Sequence, residues 1–364
     1  MKNRLGKIVV ALLVPAALAV TVSCSGTPVI TDDSGEKVPG SIASLESVEI
    51  LGTQQWLTLR GHDDSAPVLL WLAGGPGGSE LGWTRKYLSE MERDFVFANW
   101  EQPGTGKSYS AVDVREMAVE DYVDHVIAVS EYLTDRLGRE KIVLVGHSWG
   151  SVIGLMAAER RPDLYHAYVG VGQHINALEN DLLGYELVMK RAEAAGDTRI
   201  VRRLEKKGPP PYTGEEKGKY TFLFQKLFVY SPNPSSGGGI DSMAMFTPEE
   251  YTLKDKINLL RGLIGGVNYI YPQLTAHDFE RDITRLEIPV FIVTGRYDYT
   301  FVQEIAYRWF KKLAAPHKRH YWFERSGHNS CYREADRFIS LMRRDVLPLA
   351  VSSESPQSAM SPGQ

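Results

Sequence analysis

The segment from residue 141 to residue 158, KIVLVGHSWGSVIGLMAA, constrains the fold of this chain more than any other part of it. The apolar, mostly β-branched run at 142–145 predicts a buried strand, and the Ala-, Leu- and Met-rich residues after Gly150 predict a helix. Between them lies the pentapeptide GHSWG, a G-x-S-x-G pattern. A serine at such a sharp turn from strand to helix is lifted above the sheet, where a substrate can reach it. We therefore predict that Ser148 is a nucleophile.

Strand-like and helical patterns alternate along the rest of the chain. The strand-like runs lie at residues 47–50, 55–59, 68–72, 95–100, 142–145, 167–171, 288–298 and 320–323. Apolar residues recur at helical spacing over 115–137, and a further helix is expected over 302–313. This alternation predicts the α/β fold class, with a mostly parallel central sheet covered by helices on both faces. In such sheets the reactive residues gather beyond the carboxyl ends of the strands.

The region from residue 173 to residue 287 differs from the rest because it contains no strong strand pattern. We predict that it forms an inserted helical cap, or lid, over the active-site face, and that most of its aromatic residues pack into the lid's own small core. The core domain is then divided between residues 45–172 and 288–350. Residues 25–44 are predicted to be a linker, and residues 351–364 a disordered tail.

The first 24 residues have the layout of a secretory signal peptide. Basic residues precede an apolar stretch at 8–22, which is shorter than the roughly 20 residues of a membrane-spanning helix. The stretch resembles the signal of a bacterial lipoprotein, with Cys24 as the lipid-modified residue, and ordinary cleavage near Cys24 is the alternative. We expect an exported protein that is either secreted or attached to the cell envelope through Cys24. The second cysteine, Cys331, is expected to be a buried thiol.

The charge balance argues against nucleic acid as a partner. The formal net charge is −4 and the isoelectric point is near 6.2, so the chain has no basic excess. The tripeptide GKS at 106–108 resembles the end of a phosphate-binding loop, but that pattern requires a glycine where Glu101 stands. We expect a small-molecule or short-peptide substrate, and neither a metal nor another cofactor. The sequence does not indicate an oligomeric state.

Two further residues complete the chemistry that Ser148 requires. A serine hydroxyl is a weak nucleophile unless a histidine takes its proton and a carboxylate holds that histidine in the right tautomer. Asp298 and His328 each follow a predicted strand, and so lie at the same edge of the sheet as Ser148. Asp278 and Asp282 are less suitable acids, because both precede their strand. We therefore predict Ser148, His328 and Asp298 as a catalytic triad.

Two backbone amides are predicted to bind the oxyanion that forms during acyl transfer. One is the amide of Trp149, at the start of the helix after the serine. The other is expected in the glycine-rich loop at 73–78, most simply at Gly75. His147 lies inside the turn, where its side chain points away from that of Ser148, and we assign it a structural role.

With these residues in place, the chain from about residue 46 to residue 347 resembles the α/β-hydrolase superfamily. Three segments, 72–78, 100–108 and 146–151, together resemble the prolyl iminopeptidase family. That family carries an H-G-G-P-G loop, a D-Q-R-G-x-G-x-S segment and a G-x-S-W-G-[GS] turn. The turn matches fully, whereas Ala73 replaces the histidine of the loop, and the middle segment begins with Glu101.

The resemblance implies a serine hydrolase with an inserted helical lid, which removes an N-terminal proline or a similar residue from peptides. The order serine, aspartate, histidine along the chain is the one expected for this superfamily. The resemblance also implies that carboxylates of the lid hold the free amino group of the substrate. Glu186 is the candidate for this role, and Glu179 and Glu193 lie on the same predicted helix; a solvated helix face is the alternative interpretation.

Two other functions stay open on the sequence alone. One is a carboxylesterase or amidase that acts on a small acyl ester or amide. The other, from a different class, is a catalytically silent binding protein of the cell envelope. Hydrolysis of epoxides or haloalkanes is disfavoured, because those members of the superfamily have an aspartate in the place of Ser148.

Overall fold

The structure is a computed structural model, and it describes residues 26–212, 218–230 and 240–354. The predicted signal peptide with Cys24, and the chain after residue 354, lie outside the described residues. Eight strands form one sheet. They are β1 Ile42–Ile50, β2 Thr53–Gly61, β3 Val68–Leu72, β4 Val96–Glu101, β5 Ile142–His147, β6 Tyr165–Val171, β7 Val290–Gly295 and β8 Lys318–Phe323.

The strand order across the sheet is β1-β2-β4-β3-β5-β6-β7-β8. β2 is antiparallel to both β1 and β4, and all pairs from β4 through β3 to β8 are parallel. The mostly parallel sheet predicted from the sequence is thereby confirmed. β1 begins at Ile42, within the range predicted as a linker.

The central strands are apolar along their whole length because both faces of the sheet are covered. On β3, Leu70 and Leu72 belong to one hydrophobic core, and Leu69 and Trp71 belong to a second core on the opposite face. Successive residues of a strand point to opposite faces, so one unbroken apolar run serves both cores. This burial explains why the strand signal in the sequence was continuous and not alternating.

Twelve α-helices lie within the described residues. They are α1 Leu81–Tyr87, α2 Val119–Leu137, α3 Trp149–Arg160, α4 Ala177–Ala194, α5 Thr198–Lys207, α6 Lys219–Val229, α7 Leu253–Gly265, α8 Phe279–Asp282, α9 Gln303–Lys312, α10 Ser330–Arg333, α11 Ala335–Leu341 and α12 Leu347–Glu354. Short 3₁₀ and π turns connect several of them. α2 and α3 contribute to one core of the sheet, and α11 contributes to the other.

Between β6 and β7 the described chain contains helices and short turns, and no strand of the sheet. The rings of Tyr220, Phe224 and Tyr271 pack against one another there, with centroids 4.8 to 6.0 Å apart. α7 packs against the glycine-rich loop after β3. A Cβ atom added to Gly77 would lie 2.1 Å from the carbonyl oxygen of Gly262, so the two backbones are in direct contact.

Candidate active site

Ser148 occupies a strained turn between β5 and α3. Its φ is 55° and its ψ is −120°, a conformation that non-glycine residues rarely adopt. The turn is tight on both sides. A Cβ atom on Gly146 would lie 2.3 Å from the carbonyl oxygen of Gly150, and one on Gly150 would lie 2.0 Å from that of Leu72. Only glycine fits at these positions, which is why the pentapeptide carries both glycines around its serine.

The structure brings Ser148, His328 and Asp298 together in one hydrogen-bonded line. His328 Nε2 is 2.8 Å from Ser148 Oγ, and His328 Nδ1 is 2.9 Å from Asp298 Oδ2. Asp298 is only 1% exposed, and its other oxygen accepts hydrogen bonds from the backbone amides of Thr300 and Phe301, both at 3.0 Å. Because a carboxylate can only accept, Nδ1 carries the proton and Nε2 is free to accept from the serine hydroxyl. This is the arrangement of a nucleophile, a base and an orienting acid.

The three side chains follow three parallel strands of the sheet. Ser148 follows β5, Asp298 lies three residues after the end of β7, and His328 lies in the loop after β8. The carboxyl ends of these strands meet at one edge of the sheet. The topology therefore brings Ser148 beside His328, which lies 180 positions further along the chain.

The glycine-rich loop after β3 lies against Ser148. A Cβ atom on Gly74 would be 3.1 Å from Ser148 Cβ, so the loop backbone reaches the serine only because this residue is glycine. The next residue, Gly75, has a φ of +142°, which also favours glycine. Gln102 fixes the loop, since it donates to the carbonyl of Ala73 at 3.0 Å and accepts from Trp149 Nε1 at 2.9 Å.

Trp149, the other predicted oxyanion donor, is the first residue of α3. The amides of the first helical turn have no partner within the helix, and they carry the positive end of the helix dipole. The predicted pair of donors therefore lies on the two segments that flank Ser148: the loop of Gly75 and the first turn of α3.

A second histidine–carboxylate pair lies directly behind the triad. His147 Nδ1 is 2.6 Å from Glu80 Oε1, and both side chains are at least 96% buried. The hydroxyl of Tyr332 and the indole of Trp71 donate to Glu80 Oε2, each at 2.8 Å. His147 Nε2 is 3.2 Å from the backbone carbonyl of His328. The pair thus connects the turn of Ser148 to the backbone of His328.

The environment of this second pair favours the charged forms. Burial opposes charge on both groups, yet the charge of Glu80 and its hydrogen bond raise the pKa of His147 above its usual value. At Glu80 burial acts to raise the pKa, but the charge of His147 and the three hydrogen-bond donors to Glu80 outweigh it, so the pKa of Glu80 is lowered. Both nitrogens of His147 face acceptors, so only the doubly protonated ring satisfies both. Glu80 could not be predicted from the sequence, because nothing in its spacing links it to His147.

A buried acidic residue on the first helix after β6 is linked to His328 through three packed side chains. Asp181 is completely buried, and its Oδ1 accepts from the hydroxyl of Tyr271 at 2.7 Å. Its Oδ2 makes no hydrogen bond of ordinary geometry within the described residues. Burial raises the pKa of Asp181 to about 7, although neighbouring hydroxyls act to lower it. His174 Nε2 lies 3.4 Å from the Tyr271 hydroxyl, and its ring is 4.1 Å from that of Phe301, which in turn contacts the ring of His328.

Asp181 was also missed, although the sequence contains a signal for it. The buried side of α4 follows a regular helical spacing. Its buried members are Ala177, Asn180, Asp181, Gly184, Val188 and Ala192. An aspartate within such a stripe is a buried charge that requires a partner. Leu183, although apolar, lies outside this stripe and is 39% exposed.

The three glutamates predicted on this helix lie elsewhere. Glu186 and Glu193 are exposed to solvent. Glu179 forms a two-pronged ion pair with Arg308, with distances of 2.6 and 3.0 Å. The structure therefore does not place Glu186 among the groups around His328, and Asp181 is the buried carboxylate of this helix.

Comparison with known proteins agrees with this architecture. A family model described as the alpha/beta hydrolase fold matches residues 67–198. The "Probable aminopeptidase YbaC" of Bacillus subtilis (strain 168) is 27% identical over 313 residues, covering 84% of this chain and 96% of the relative. A "Probable proline iminopeptidase" of Leptolyngbya boryana is 30% identical over 103 residues, which is 28% of this chain and 30% of the relative.

A solved structure shows the same fold over nearly the whole length. The crystal structure of a proline iminopeptidase from Mycobacterium smegmatis superposes with a TM-score of 0.62 at 14% sequence identity, and the match covers 85% of this chain and 100% of that one. The protein therefore has the α/β-hydrolase fold, and the predicted resemblance to prolyl iminopeptidases is confirmed at the level of fold and sequence similarity.

Proposed function

We propose that this α/β-hydrolase-fold protein is a serine hydrolase that removes an N-terminal residue, proline or one similar to it, from short peptides. The observation that carries the proposal is the continuous hydrogen-bonded line from Ser148 through His328 to buried Asp298. The similarity to a relative named as a probable aminopeptidase, over 84% of this chain, supports the substrate class.

In the proposed mechanism, each step of acyl transfer is assigned to one of these residues. Ser148 Oγ attacks the carbonyl carbon of the substrate while His328 Nε2 takes the hydroxyl proton. The carbonyl oxygen becomes an oxyanion, which the amides of Trp149 and Gly75 stabilise. His328 then gives its proton to the departing amine, and an acyl-enzyme forms on Ser148. A water molecule, deprotonated by His328, attacks the acyl group. His328 then returns that proton to Ser148 Oγ as the free residue leaves, which restores the starting enzyme. Asp298 stays ionised and stabilises the imidazolium in both halves of the reaction.

Asp181 suggests how a free amino group is recognised. A substrate ammonium needs a negative partner when water is removed from it, and a buried carboxylate can provide that charge. Asp181 has that property, and the chain of contacts through Tyr271, His174 and Phe301 leads from it to His328. An ammonium beside Asp181 would also favour its charged form, against the raised pKa that burial imposes.

The first experiment compares Ser148→Ala with the matched control Ser110→Ala, which alters an exposed serine. Release of nitroaniline from proline p-nitroanilide should fall at least a thousandfold in Ser148→Ala, because the nucleophile is absent. The control should keep wild-type rates, and thermal unfolding should show that both variants are folded. Unchanged turnover in Ser148→Ala would refute the assignment.

The second experiment tests the amino-group site with Asp181→Asn. KM for proline p-nitroanilide should rise by about 10- to 100-fold, because a charged hydrogen bond to the substrate is lost. Cleavage of an N-acetylated substrate or a short acyl nitrophenyl ester should not change, since neither carries an ammonium. An equal loss on both kinds of substrate would remove Asp181 from amine recognition. A wild-type enzyme that cleaves only the esters would identify the protein as an esterase.

We also propose that the protein is exported and lipidated at Cys24. The support is the basic, apolar and small-residue order of residues 1–24. Expression of the full chain in a bacterial host with radiolabelled palmitate should label the protein, and Cys24→Ala should abolish the label. A secreted product without label would favour ordinary cleavage.

A further inference from the structure

One side of α7 exposes a continuous apolar surface to solvent. Its members are Leu253, Ile257, Leu260 and Ile264, which are 76%, 43%, 50% and 61% exposed. At about 100° per residue, these four positions fall within an arc of about 60°. The opposite side of the helix is the buried one. It carries Asp255, Asn258, Leu259 and Gly262. The exposed apolar stripe is therefore the outward face of a helix whose inward face is already packed.

On α7 itself the charges beside this stripe are all positive on the outward side, and Asp113 of the neighbouring loop is paired with Arg115. Lys254 and Arg261 flank it on one side, and Lys256 flanks it on the other. The acidic residue of the helix, Asp255, is turned inward, where it caps the first turn and pairs with Lys107 at 3.2 Å. An apolar stripe between rows of long basic side chains is the pattern of a helix that lies in the interface of an anionic membrane.

The start of the described chain is held beside the first turn of α7. Thr27 Oγ1 donates to Glu250 Oε1 at 2.5 Å, and Glu250 stands three residues before Leu253. Cys24 precedes Thr27 by three residues, which span about 10 Å at most when extended. A lipid attached to Cys24 would therefore enter the bilayer close to the exposed stripe.

We propose that α7 is a membrane-docking helix, whose stripe of Leu253, Ile257, Leu260 and Ile264 lies in the headgroup region of an anionic bilayer. The helix lies on the membrane and does not cross it, and among the described residues no helix is long and apolar enough to cross one. A lipid at Cys24 would lie beside this stripe, but the docking proposed here depends neither on that lipid nor on hydrolytic activity.

Docking in this way would place the membrane close to the active site. The inward face of α7 touches the loops beside Ser148: a Cβ atom on Gly262 would be 2.5 Å from the carbonyl oxygen of Gly104 and 2.8 Å from that of Gly77. One helix diameter, about 10 Å, would then separate the bilayer surface from the glycine-rich loop.

The test uses the full chain reconstituted in vesicles of phosphatidylcholine with one-third phosphatidylglycerol, in a Cys24→Ser background. Cys331 is fully buried and so is protected from thiol dyes. A fluorophore is attached to Ile257→Cys on α7 or, as the matched control, to Leu183→Cys on α4, which has a similar exposure of 39%. A quencher carried on the lipid tails should lower the fluorescence at position 257 at least threefold more than at position 183.

A charge-reversed variant sharpens the result. Lys254→Glu with Arg261→Glu should reduce quenching at position 257 at least twofold in vesicles that contain phosphatidylglycerol, and should have little effect in pure phosphatidylcholine. Equal quenching at positions 257 and 183 would overturn the proposal. The proposal would also be overturned if a second copy of the chain covers the stripe. In that case the protein would be a dimer in solution, and the double variant Leu260→Ser with Ile264→Ser would be a monomer.

Discussion

Two histidine–carboxylate pairs lie side by side in this site, and their ring centroids are 5.2 Å apart. His328 with Asp298 and His147 with Glu80 have similar hydrogen bonds, 2.9 and 2.6 Å long. They differ in the hydrogen-bond partner of the second ring nitrogen, Nε2. For His328 it is the hydroxyl of Ser148, and for His147 it is a backbone carbonyl.

That difference decides what each pair can do. A hydroxyl can donate a proton, so the neutral ring of His328 can serve as a base. A carbonyl can only accept, so His147 keeps both protons and stays a buried cation held by Glu80. The same two residue types thus give a proton-transfer pair in one place and a fixed ion pair in the other. The second pair positions the first, because His147 holds the backbone of His328.

The largest expected effect comes from Asp298→Asn, which breaks the proton-transfer pair alone. The asparagine oxygen can still accept from the amides of Thr300 and Phe301, but its NH₂ group then faces His328 Nδ1. The ring must turn to the other tautomer, in which Nε2 carries the proton and cannot accept from Ser148. We expect kcat to fall about 10³- to 10⁴-fold with little change in KM. Steady-state kinetics on proline p-nitroanilide measure this, and a loss below tenfold would contradict the tautomer argument.

The next effect is on stability, from Glu80→Gln. Removal of one charge leaves the imidazolium of His147 buried without its partner, which costs about 3–5 kcal/mol in comparable pairs. Urea unfolding should show this loss of free energy. Because the backbone of His328 loses its fixed neighbour, kcat should also fall, by about tenfold, with KM unchanged.

A matched control separates these two consequences. Glu92→Gln changes another buried glutamate, one that pairs with Arg60 at 3.0 Å on a different part of the sheet. It should lose stability with no change in kcat. If Glu92→Gln and Glu80→Gln lower kcat equally, the effect on activity is one of general stability, and the positioning role of the second pair is wrong.

The fold and the residues of the first pair could be predicted from the sequence because each has a local signature. The turn needs glycines at 146 and 150 for steric reasons, and buried strands need unbroken apolar runs. Asp298 and His328 follow such runs, and the parallel topology brings strand ends together. The α/β fold followed from the same periodicities.

The second pair and Asp181 could not be found in that way. Glu80 and His147 are 67 residues apart, and their contact depends on how the loop after β3 folds back over the sheet. No period or spacing encodes that path. The exposure of Glu186 agrees with the alternative of a solvated helix face, and the side of α4 that is buried depends on its contacts with α5 and α6. Because the buried side of α4 contains polar residues, the pattern of apolar residues in the sequence does not identify that side as the buried one.

The smallest effect is the pH dependence of the second pair. The pKa of His147 is raised in the folded protein, so its contribution to stability is full below about 6.5 and is lost as pH rises through the raised value. The pKa of Glu80 is lowered, so its contribution is present above about 4.5 and is lost as pH falls through the lowered value. The free energy of unfolding of the wild type should therefore exceed that of His147→Gln most between about pH 5 and 6. Urea titrations should show this gap shrinking by about 1 kcal/mol toward pH 9. If the difference in unfolding free energy between wild type and His147→Gln stays constant to pH 9, His147 is neutral in the folded protein. The proposed contrast between the two histidine–carboxylate pairs would then be wrong.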